Sequence, residues 1–361
     1  MKILQVINEV KLGGGAEKLM VDLSVGLKHR GIDVAVLSIV KPKYNDLVTK
    51  LNQEGIVVYA VSQNLYSIRN IFKVREFLKK RTFDIVHVHL FPSLYYIGLS
   101  KLLGVNKCLI FTEHSTKNRR RHKILFKYLD RIIYKQYNSV VSISNQVYEN
   151  LCLHLGVLRK NIIENAVDFK KYSEAEVFPI KEYLRIANTC YIVMMVARFV
   201  EGKDYLTLFK SLKYLTTDVH IVCIGDGPKI EYCKEYVKSL GESTRIHFLG
   251  LRNDVEVLLK SADVVVLSSG HEGFSISMLE AMASGKPFVA SSVPGLIDVL
   301  GESALFFQYK NYKQLAQTIQ MLKNDRVLYN RYSENSLKFA EAHDLSNMVN
   351  SYLKLYKANQ Q

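Results

Sequence analysis

The stretch from Asp263 to Ala290, DVVVLSSGHEGFSISMLEAMASGKPFVA, constrains the fold more than any other part of the chain. Val264 to Leu267 is a short, apolar, β-branched run, which reads as a strand buried on both faces. Ser268 to Gly273 supplies turn residues, and Ser275 or Ser277 can cap a helix. Phe274 to Ala283 then reads as that helix, stopped by Gly285 with Pro287 two residues on. A second buried strand opens at Pro287 and runs to Ala290. Strand, polar loop, helix and strand in that order form a unit of parallel α/β sheet, because parallel neighbours need a crossover connection.

In such sheets ligands sit beyond the carboxyl ends of the strands, next to helix N-termini. The loop from Ser268 to Ser275 is at that place, and backbone N–H groups near Phe274, Ser275 and Ile276 would favour an anion such as a phosphate. Glu272 lies in the loop and Glu280 on the helix, with seven residues between them. One carboxylate can reach the reacting end of a long ligand while the other reaches a hydroxyl further along it. The alternative is a pair of ordinary solvated glutamates. The whole run, with Glu-x7-Glu inside HEGFSISMLEAMASGKPFVAS, resembles the signature of the retaining glycosyltransferases of family 4, which have the GT-B fold. In that family the first Glu lies at the transferred sugar and the second binds the ribose hydroxyls of the nucleotide. The resemblance gives those roles to Glu272 and Glu280.

Other segments resemble the same family. Val196-Ala-Arg-Phe-Val-Glu-Gly-Lys-Asp204 places Arg198 and Lys203 just past an apolar run, Tyr191 to Ala197. Arginine can fork onto two phosphate oxygens and lysine acts as a compact point charge, so the pair suits a pyrophosphate. In the family, Arg-x4-Lys at this strand end binds the donor diphosphate. Near the start, Ile3 to Ile7 reads as a strand, Lys11-Leu-Gly-Gly-Gly-Ala-Glu-Lys18 as a glycine loop, and Leu19 to Arg30 as an amphipathic helix. The loop is neither Gly-x-Gly-x-x-Gly nor a Walker loop, which weakens dinucleotide and ATP readings. It does resemble the family's first loop, and the resemblance implies that Gly14 and Gly15 present backbone to the donor pyrophosphate. Cys108-Leu-Ile-Phe-Thr-Glu-His114 ends a buried strand with a polar tip, and Thr-Glu-His resembles the family's histidine near the sugar. Gly225-Asp-Gly-Pro228 resembles the turn under the nucleotide, and the loop around Leu251 and Arg252 resembles the one whose backbone reads the base.

His87 and His89, in Ile-Val-His-Val-His, fall on one side of a strand because the side-chain period is two. No third ligand at a metal-binding spacing accompanies them, so they read as structural histidines. The five cysteines contain no Cys-x-x-Cys pair, and several sit in apolar runs, which points to reduced, buried thiols. The N-terminus reads as a core strand and not a signal peptide, and no run of eighteen apolar residues is present. A cytoplasmic location is expected.

Charge divides the chain. Residues 1–180 hold 28 Lys and Arg against 15 Asp and Glu, whereas the remainder is nearly balanced within a total formal charge of +15. The excess peaks at Lys117, Arg119, Arg120, Arg121, Lys123, Lys127, Arg131 and Lys135. Apolar residues recur between these at helical spacing, so Ile124 to Tyr137 reads as an amphipathic helix. Three readings are open: a core helix with a solvated cationic face, a surface for anionic membrane lipid, or a nucleic-acid contact. Missing stacking platforms argue against the last.

The expected architecture is α/β, GT-B, with two Rossmann-like domains whose parallel sheets face a cleft. Residues 1–169 form the first domain, 170–188 the connection, and 189–344 the second, with a terminal helix at about 345–361 crossing back. Asn-Ala-Val-Asp at 165–168 resembles the family's Asn-Gly-Val-Asp, with Ala166 in place of the glycine. The chain contains no Asp-x-Asp, which fits a metal-independent GT-B enzyme with no cofactor. The resemblance implies transfer of a sugar from a nucleotide sugar, a UDP-sugar, to a lipid-linked or polysaccharide acceptor in surface polysaccharide assembly at the inner face of a membrane. Expected partners are that donor, that acceptor and an anionic membrane surface, without nucleic acid. A GT-B sugar-nucleotide epimerase and a non-catalytic sugar-nucleotide-binding protein are the rivals.

Overall fold

The computed structural model describes residues 1–115, 124–156 and 158–360. Its long apolar runs become twelve strands. The first sheet holds β1 (Lys2–Ile7), β2 (Asp33–Val40), β3 (Val57–Ser62), β4 (Ile85–His89), β5 (Cys108–Glu113) and β6 (Ser139–Ser142), in the order β3-β2-β1-β4-β5-β6. The second holds β7 (Tyr191–Val196), β8 (Val219–Ile224), β9 (Ile246–Gly250), β10 (Val264–Leu267), β11 (Phe288–Ser291) and β12 (Leu305–Phe307), in the order β12-β11-β10-β7-β8-β9. Every pairing within them is parallel. Each sheet therefore winds outward in both directions from its first strand, and its order reverses once, between β1 and β4 or between β7 and β10. Central strands such as β8 and β10 are buried at every residue, as strands covered by helices on both faces must be.

Helix ends follow local chemistry. Asn45 accepts from the N–H groups of Leu47 and Val48, Ser144 from Val147, and Asp325 from Val327 and Leu328, each opening a helix. The helix Ile276–Ala283 ends where Gly285 takes φ +75°. It begins two residues later than its sequence implied, because Phe274 turns inward against the rings of Phe339 and His343 and leaves Ser275 as the extended N-cap. The first helix begins earlier, at Gly15. All five cysteines are free thiols.

The chain divides into two compact units, Met1–Asn165 with Leu345–Gln361, and Ala166–Asp344. The first unit thus stops at Asn165 before Leu345 resumes it, and residues 170–188, expected as the connection, fall within the second unit. They belong to the second unit as the short helices Phe169–Ser173 and Ile180–Tyr183. Lys170, Lys171, Glu174 and Glu176 occupy the solvent side of this segment, while Tyr172 and Ile180 are each 2% exposed and join the core around β7 and β8. Charge density conceals two anchors because apolar burial needs only a few positions per turn. We predict that Ile180→Ala lowers the unfolding free energy of the second unit by about 2–5 kcal/mol in urea titrations. A true connecting segment would show a change within about 0.5 kcal/mol.

Candidate active site

The second sheet reverses between β7 and β10, and in sheets of this kind ligands bind at the carboxyl ends of the strands on either side of such a reversal. Residues 197–204 leave β7 and carry Arg198 and Lys203. Residues 268–275 leave β10 and carry Glu272. Short bonds tie these loops together. The Gly270 N–H donates to the Gly202 carbonyl at 2.9 Å, and the Ser268 hydroxyl donates to the carbonyls of Asp204 at 2.9 Å and Lys203 at 3.3 Å. From behind, the Ser291 hydroxyl on β11 holds the Ser269 carbonyl. Asp204 adopts the left-handed conformation at φ +40°, and its carboxylate accepts from the Thr207 N–H and hydroxyl to start the next helix.

Lys203 and Glu272 meet at the centre of this arrangement. The Lys203 ammonium forms a short ion pair with Glu272 Oε1, and the Ser269 hydroxyl donates to the same oxygen at 2.6 Å. Only 9% of the Glu272 side chain and 20% of that of Lys203 is exposed, so the pair is shielded from bulk water. Sequence reasoning gave these two residues separate partners and did not foresee their contact. Ser269, which fixes the carboxylate, was also missed, because serine in a polar loop carries no signal by itself.

Arg198 stands exposed on the same loop and makes no ion pair among the described residues. Its backbone is set by the glycine turn that follows β8. A Cβ on Gly225 would lie 2.1 Å from the Ala197 carbonyl oxygen, and one on Gly227 would lie 2.5 Å from that of Phe199. Both positions thus need glycine for the two loops to touch. The Phe199 N–H donates to the Asp226 carbonyl and the Lys229 N–H to that of Phe199, which closes the contact. Gly225 is therefore a support beneath the Arg198 loop.

Glu280 is 6% exposed on the helix Ile276–Ala283, whose N-terminus no side chain caps. Ser275 instead has its hydroxyl 3.1 Å from that of Ser277. That end can receive negative charge from a ligand. Phe274 supplies packing there. Leu251 is exposed beside the β9 end, and the Gly225 N–H donates to the Gly250 carbonyl at 2.8 Å. The Arg252 guanidinium grips Asp254 through two bonds of 2.8 and 2.5 Å, so this loop offers its backbone to a ligand more readily than its arginine.

In the first unit, Gly14 caps the helix Gly15–His29. The Glu17 carboxylate occupies the space a Cβ on Gly14 would fill, 1.9 Å from that position. This acidic group lies at the helix start where the glycine loop was expected to meet a pyrophosphate. His114 follows β5, and its Nε2 lies 3.0 Å from Nδ1 of His89. His87 and His89 are fully buried and engaged by Thr112, Tyr356 and Gln5. Among the described residues no three His, Cys, Asp or Glu side chains gather in a metal-binding group.

The basic tract has an unexpected geometry. Arg119, Arg120, Arg121 and Lys123 lie outside the described residues. Lys127 is half-buried on the helix Ile124–Tyr134. Leu125, Tyr128, Leu129 and Ile132 form a stripe on that helix, and all four face solvent, with Leu125 66% and Ile132 52% exposed. The inner face buries Ile133 and Tyr134 in the apolar core of the first unit, and polar contacts hold it as well. Asp130 accepts from the Tyr95 hydroxyl at 2.7 Å and pairs with His154 at 2.8 Å, and the Tyr134 hydroxyl donates to Glu113 at 2.8 Å. The helix thus joins the core through Ile133 and Tyr134, carries the exposed cations Arg131 and, just past its end, Lys135, and adds an exposed apolar stripe that a core helix does not need.

Comparison with known proteins identifies the family and the fold. A model described as Glycosyltransferase Family 4 matches residues 13–171, and one described as Glycosyl transferases group 1 matches residues 178–339. A UDP-Gal:alpha-D-GlcNAc-diphosphoundecaprenol alpha-1,3-galactosyltransferase from Escherichia coli is 29% identical over 63% of this chain and 62% of its own length. An N,N'-diacetylbacillosaminyl-diphospho-undecaprenol alpha-1,3-N-acetylgalactosaminyltransferase from Campylobacter jejuni is 32% identical over 46% of this chain and 44% of its own. The chain thus spans less than two thirds of either relative. The crystal structure of HepE from Anabaena in complex with UDP-glucose superposes with a TM-score of 0.85 at 20% identity, covering 99% of this chain and 100% of that one. WaaG, titled a glycosyltransferase involved in lipopolysaccharide biosynthesis, gives 0.74 at 14%, covering 98% and 99%. The two parallel sheets have the GT-B architecture, and the chain belongs to the family 4, group 1 glycosyltransferases.

Proposed function

We propose that this protein transfers a sugar from a UDP-sugar to a hydroxyl of a lipid-linked or polysaccharide acceptor, with retention at the anomeric carbon, in surface polysaccharide assembly. The observation that carries this reading is the meeting of Lys203 and Glu272 at the second sheet's reversal point, with Arg198 on the same loop. Such a cluster offers cations to a diphosphate and a carboxylate to sugar hydroxyls. The named activities of the relatives, which move galactosyl and N-acetylgalactosaminyl groups onto diphospho-undecaprenol acceptors, support the same class.

The bond from the anomeric carbon to the diphosphate oxygen breaks while the acceptor oxygen bonds to that carbon from the same face. A donor phosphate oxygen takes the acceptor proton. Arg198 and Lys203 stabilise the charge on the departing diphosphate, a task that needs no metal ion. For Lys203 this means sharing its ammonium between Glu272 and phosphate, and Glu272 orients a sugar hydroxyl without forming a covalent bond. Glu280 holds the ribose, and His114 of the first unit contacts the sugar.

Lys203→Ala and Arg198→Ala should each lower kcat/KM by about a hundredfold or more in a product assay with the matched acceptor. Near-normal turnover in both would remove the diphosphate role. Thermal shift provides the donor's identity. UDP and its sugar conjugates should raise the melting temperature equally in magnesium and in EDTA, whereas GDP and ADP should not. Dependence on magnesium would defeat the metal-free site. Sugar turnover without an acceptor would favour the epimerase, and UDP binding without turnover on any acceptor would favour a non-catalytic binder.

The outward stripe on Ile124–Tyr134 supports association with an anionic membrane, at the inner face of the cell membrane where a lipid-linked acceptor would be met. Leu125, Tyr128, Leu129 and Ile132 enter the acyl boundary, and Lys127, Arg131 and Lys135 meet the headgroups. In cosedimentation with phosphatidylglycerol vesicles, Leu125→Glu with Ile132→Glu should reduce bound protein about tenfold or more, since each lost apolar contact is worth roughly 1.5–3 kcal/mol. Equal binding by that variant would leave electrostatics alone to account for attachment, and no binding by the unaltered chain would reject the membrane.

A further inference from the structure

Five polar side chains share one face of the first sheet. In register, Gln5 on β1 lies beside His87 on β4, and His89 beside Thr112 on β5. The side-chain period of two then adds His114 just beyond the strand. The helix Leu345–Ala358 brings Tyr352 and Tyr356 against this row. Gln5, His87, His89, Thr112, Tyr352 and Tyr356 are all fully buried. None of their polar atoms is among the buried atoms that lack a hydrogen-bond partner. So many buried polar groups persist only when each is satisfied, which ties the donor or acceptor role of each to that of its neighbour.

The roles can be followed from Gln5. Its amide nitrogen donates to the Tyr356 hydroxyl at 3.3 Å, which turns its carbonyl oxygen toward His89 Nε2 at 2.9 Å. A carbonyl oxygen only accepts, so His89 Nε2 carries hydrogen. His89 Nδ1 then holds a lone pair, and the 3.0 Å contact with His114 Nε2 requires that His114 donate. Tyr356 completes the pattern on the other side by donating to His87 Nδ1 at 2.7 Å, and His87 Nε2 donates to Thr112 at 2.7 Å.

We infer that Gln5 and His89 are positioning residues that fix His114 as a neutral imidazole with hydrogen on Nε2 and a hydrogen-bond acceptor at Nδ1. His114 Nδ1 would therefore accept a hydrogen bond from a ligand hydroxyl and not donate one. This identifies what His114 does within the transferase reading, and the ligand part rests on that reading. Burial supports the neutral form: it lowers the pKa of His114 to about 4 and that of His87 to about 3, and holds His89 well below its usual value. Nothing in the imidazole alone selects the Nε2–H form. With the Gln5 amide reversed, each hydrogen bond along the row would reverse, and His114 Nδ1 would become a donor.

Long-range proton–nitrogen spectra of the full chain labelled with 15N-histidine report each tautomer directly, with His114→Asn and His89→Asn variants assigning the signals. At neutral pH His114 should show the Nε2–H form. A Nδ1–H form or an imidazolium would overturn the inference. Gln5→Met removes the acceptor and should convert His114 to a mixture of tautomers, whereas Gln5→Glu, which still accepts from His89, should restore the Nε2–H form. An unchanged His114 in Gln5→Met would show that Gln5 does not set it. On the ligand side, Gln5→Met should weaken binding of a UDP-sugar by about fivefold, one hydrogen bond's worth, and leave UDP within about twofold. Equal loss for both ligands would overturn the sugar-hydroxyl role. If the unaltered chain binds neither ligand, the transferase reading fails while the tautomer result stands by itself.

Discussion

A parallel sheet that starts in its middle must reverse its winding once, and the site in the second unit depends on that necessity. Strands β7 and β10 are neighbours although β8 and β9 lie between them in sequence, and their outgoing loops meet at the carboxyl ends. The reversal is topological and would exist whatever residues lay there. This chain sets there a lysine from one loop and a glutamate from the other, binds the two loops with a backbone bond and the Ser268 hydroxyl, and ties the second loop to β11 with the Ser291 hydroxyl. An ion pair shielded from water repays its desolvation only when the geometry is good and the remaining lone pairs are used. The Ser269 hydroxyl on Glu272 meets part of that requirement.

Glycine adjusts the spacing. Gly225 and Gly227 let the β8 turn lie directly on the backbone of residues 197–199, so the loop bearing Arg198 rests on a support and does not float. A side chain at either position would push that loop away. Gly270 performs the same task against the Tyr309 ring, where a Cβ would come within 2.6 Å of the hydroxyl. The positions of the charged groups thus depend on residues that carry no charge.

This division explains what could be read from the chain before its structure. The strands were legible because fully buried parallel strands are short apolar runs, and the loops that bring Lys203 and Glu272 together were legible because each follows such a run and resembles a family motif. Other features were not. Tyr172 and Ile180 lie among charges, and local composition hides their burial. The helix Ile124–Tyr134 shows a clear apolar stripe, yet periodicity reports that a stripe exists and not which side the protein lies on. Asp130, held by Tyr95 and His154, decides that question through contacts far apart in sequence. The row beneath His114 is harder still, since Gln5 and Tyr356 are 351 residues apart. Two histidines on one strand face gave half of the pattern, and only the register of β1, β4 and β5 supplied the rest.

The two units use opposite electrostatic strategies. In the second, charges are kept: Lys203 and Glu272 pair and Arg198 stands exposed, as the proposed diphosphate would require. In the first, His114 is connected to a buried row in which charge is suppressed, although residues 1–180 carry most of the chain's basic excess. A cation beside a sugar would oppose the positive charge that develops at its anomeric carbon when the diphosphate departs, and a carboxylate would risk bonding to that carbon. A neutral imidazole presenting a lone pair avoids both. It would accept a hydrogen bond from a hydroxyl and orient the ring while adding no charge of its own. Keeping the imidazole neutral by burial, and choosing its tautomer by one amide, meets that requirement with groups that neither gain nor lose a proton near neutral pH.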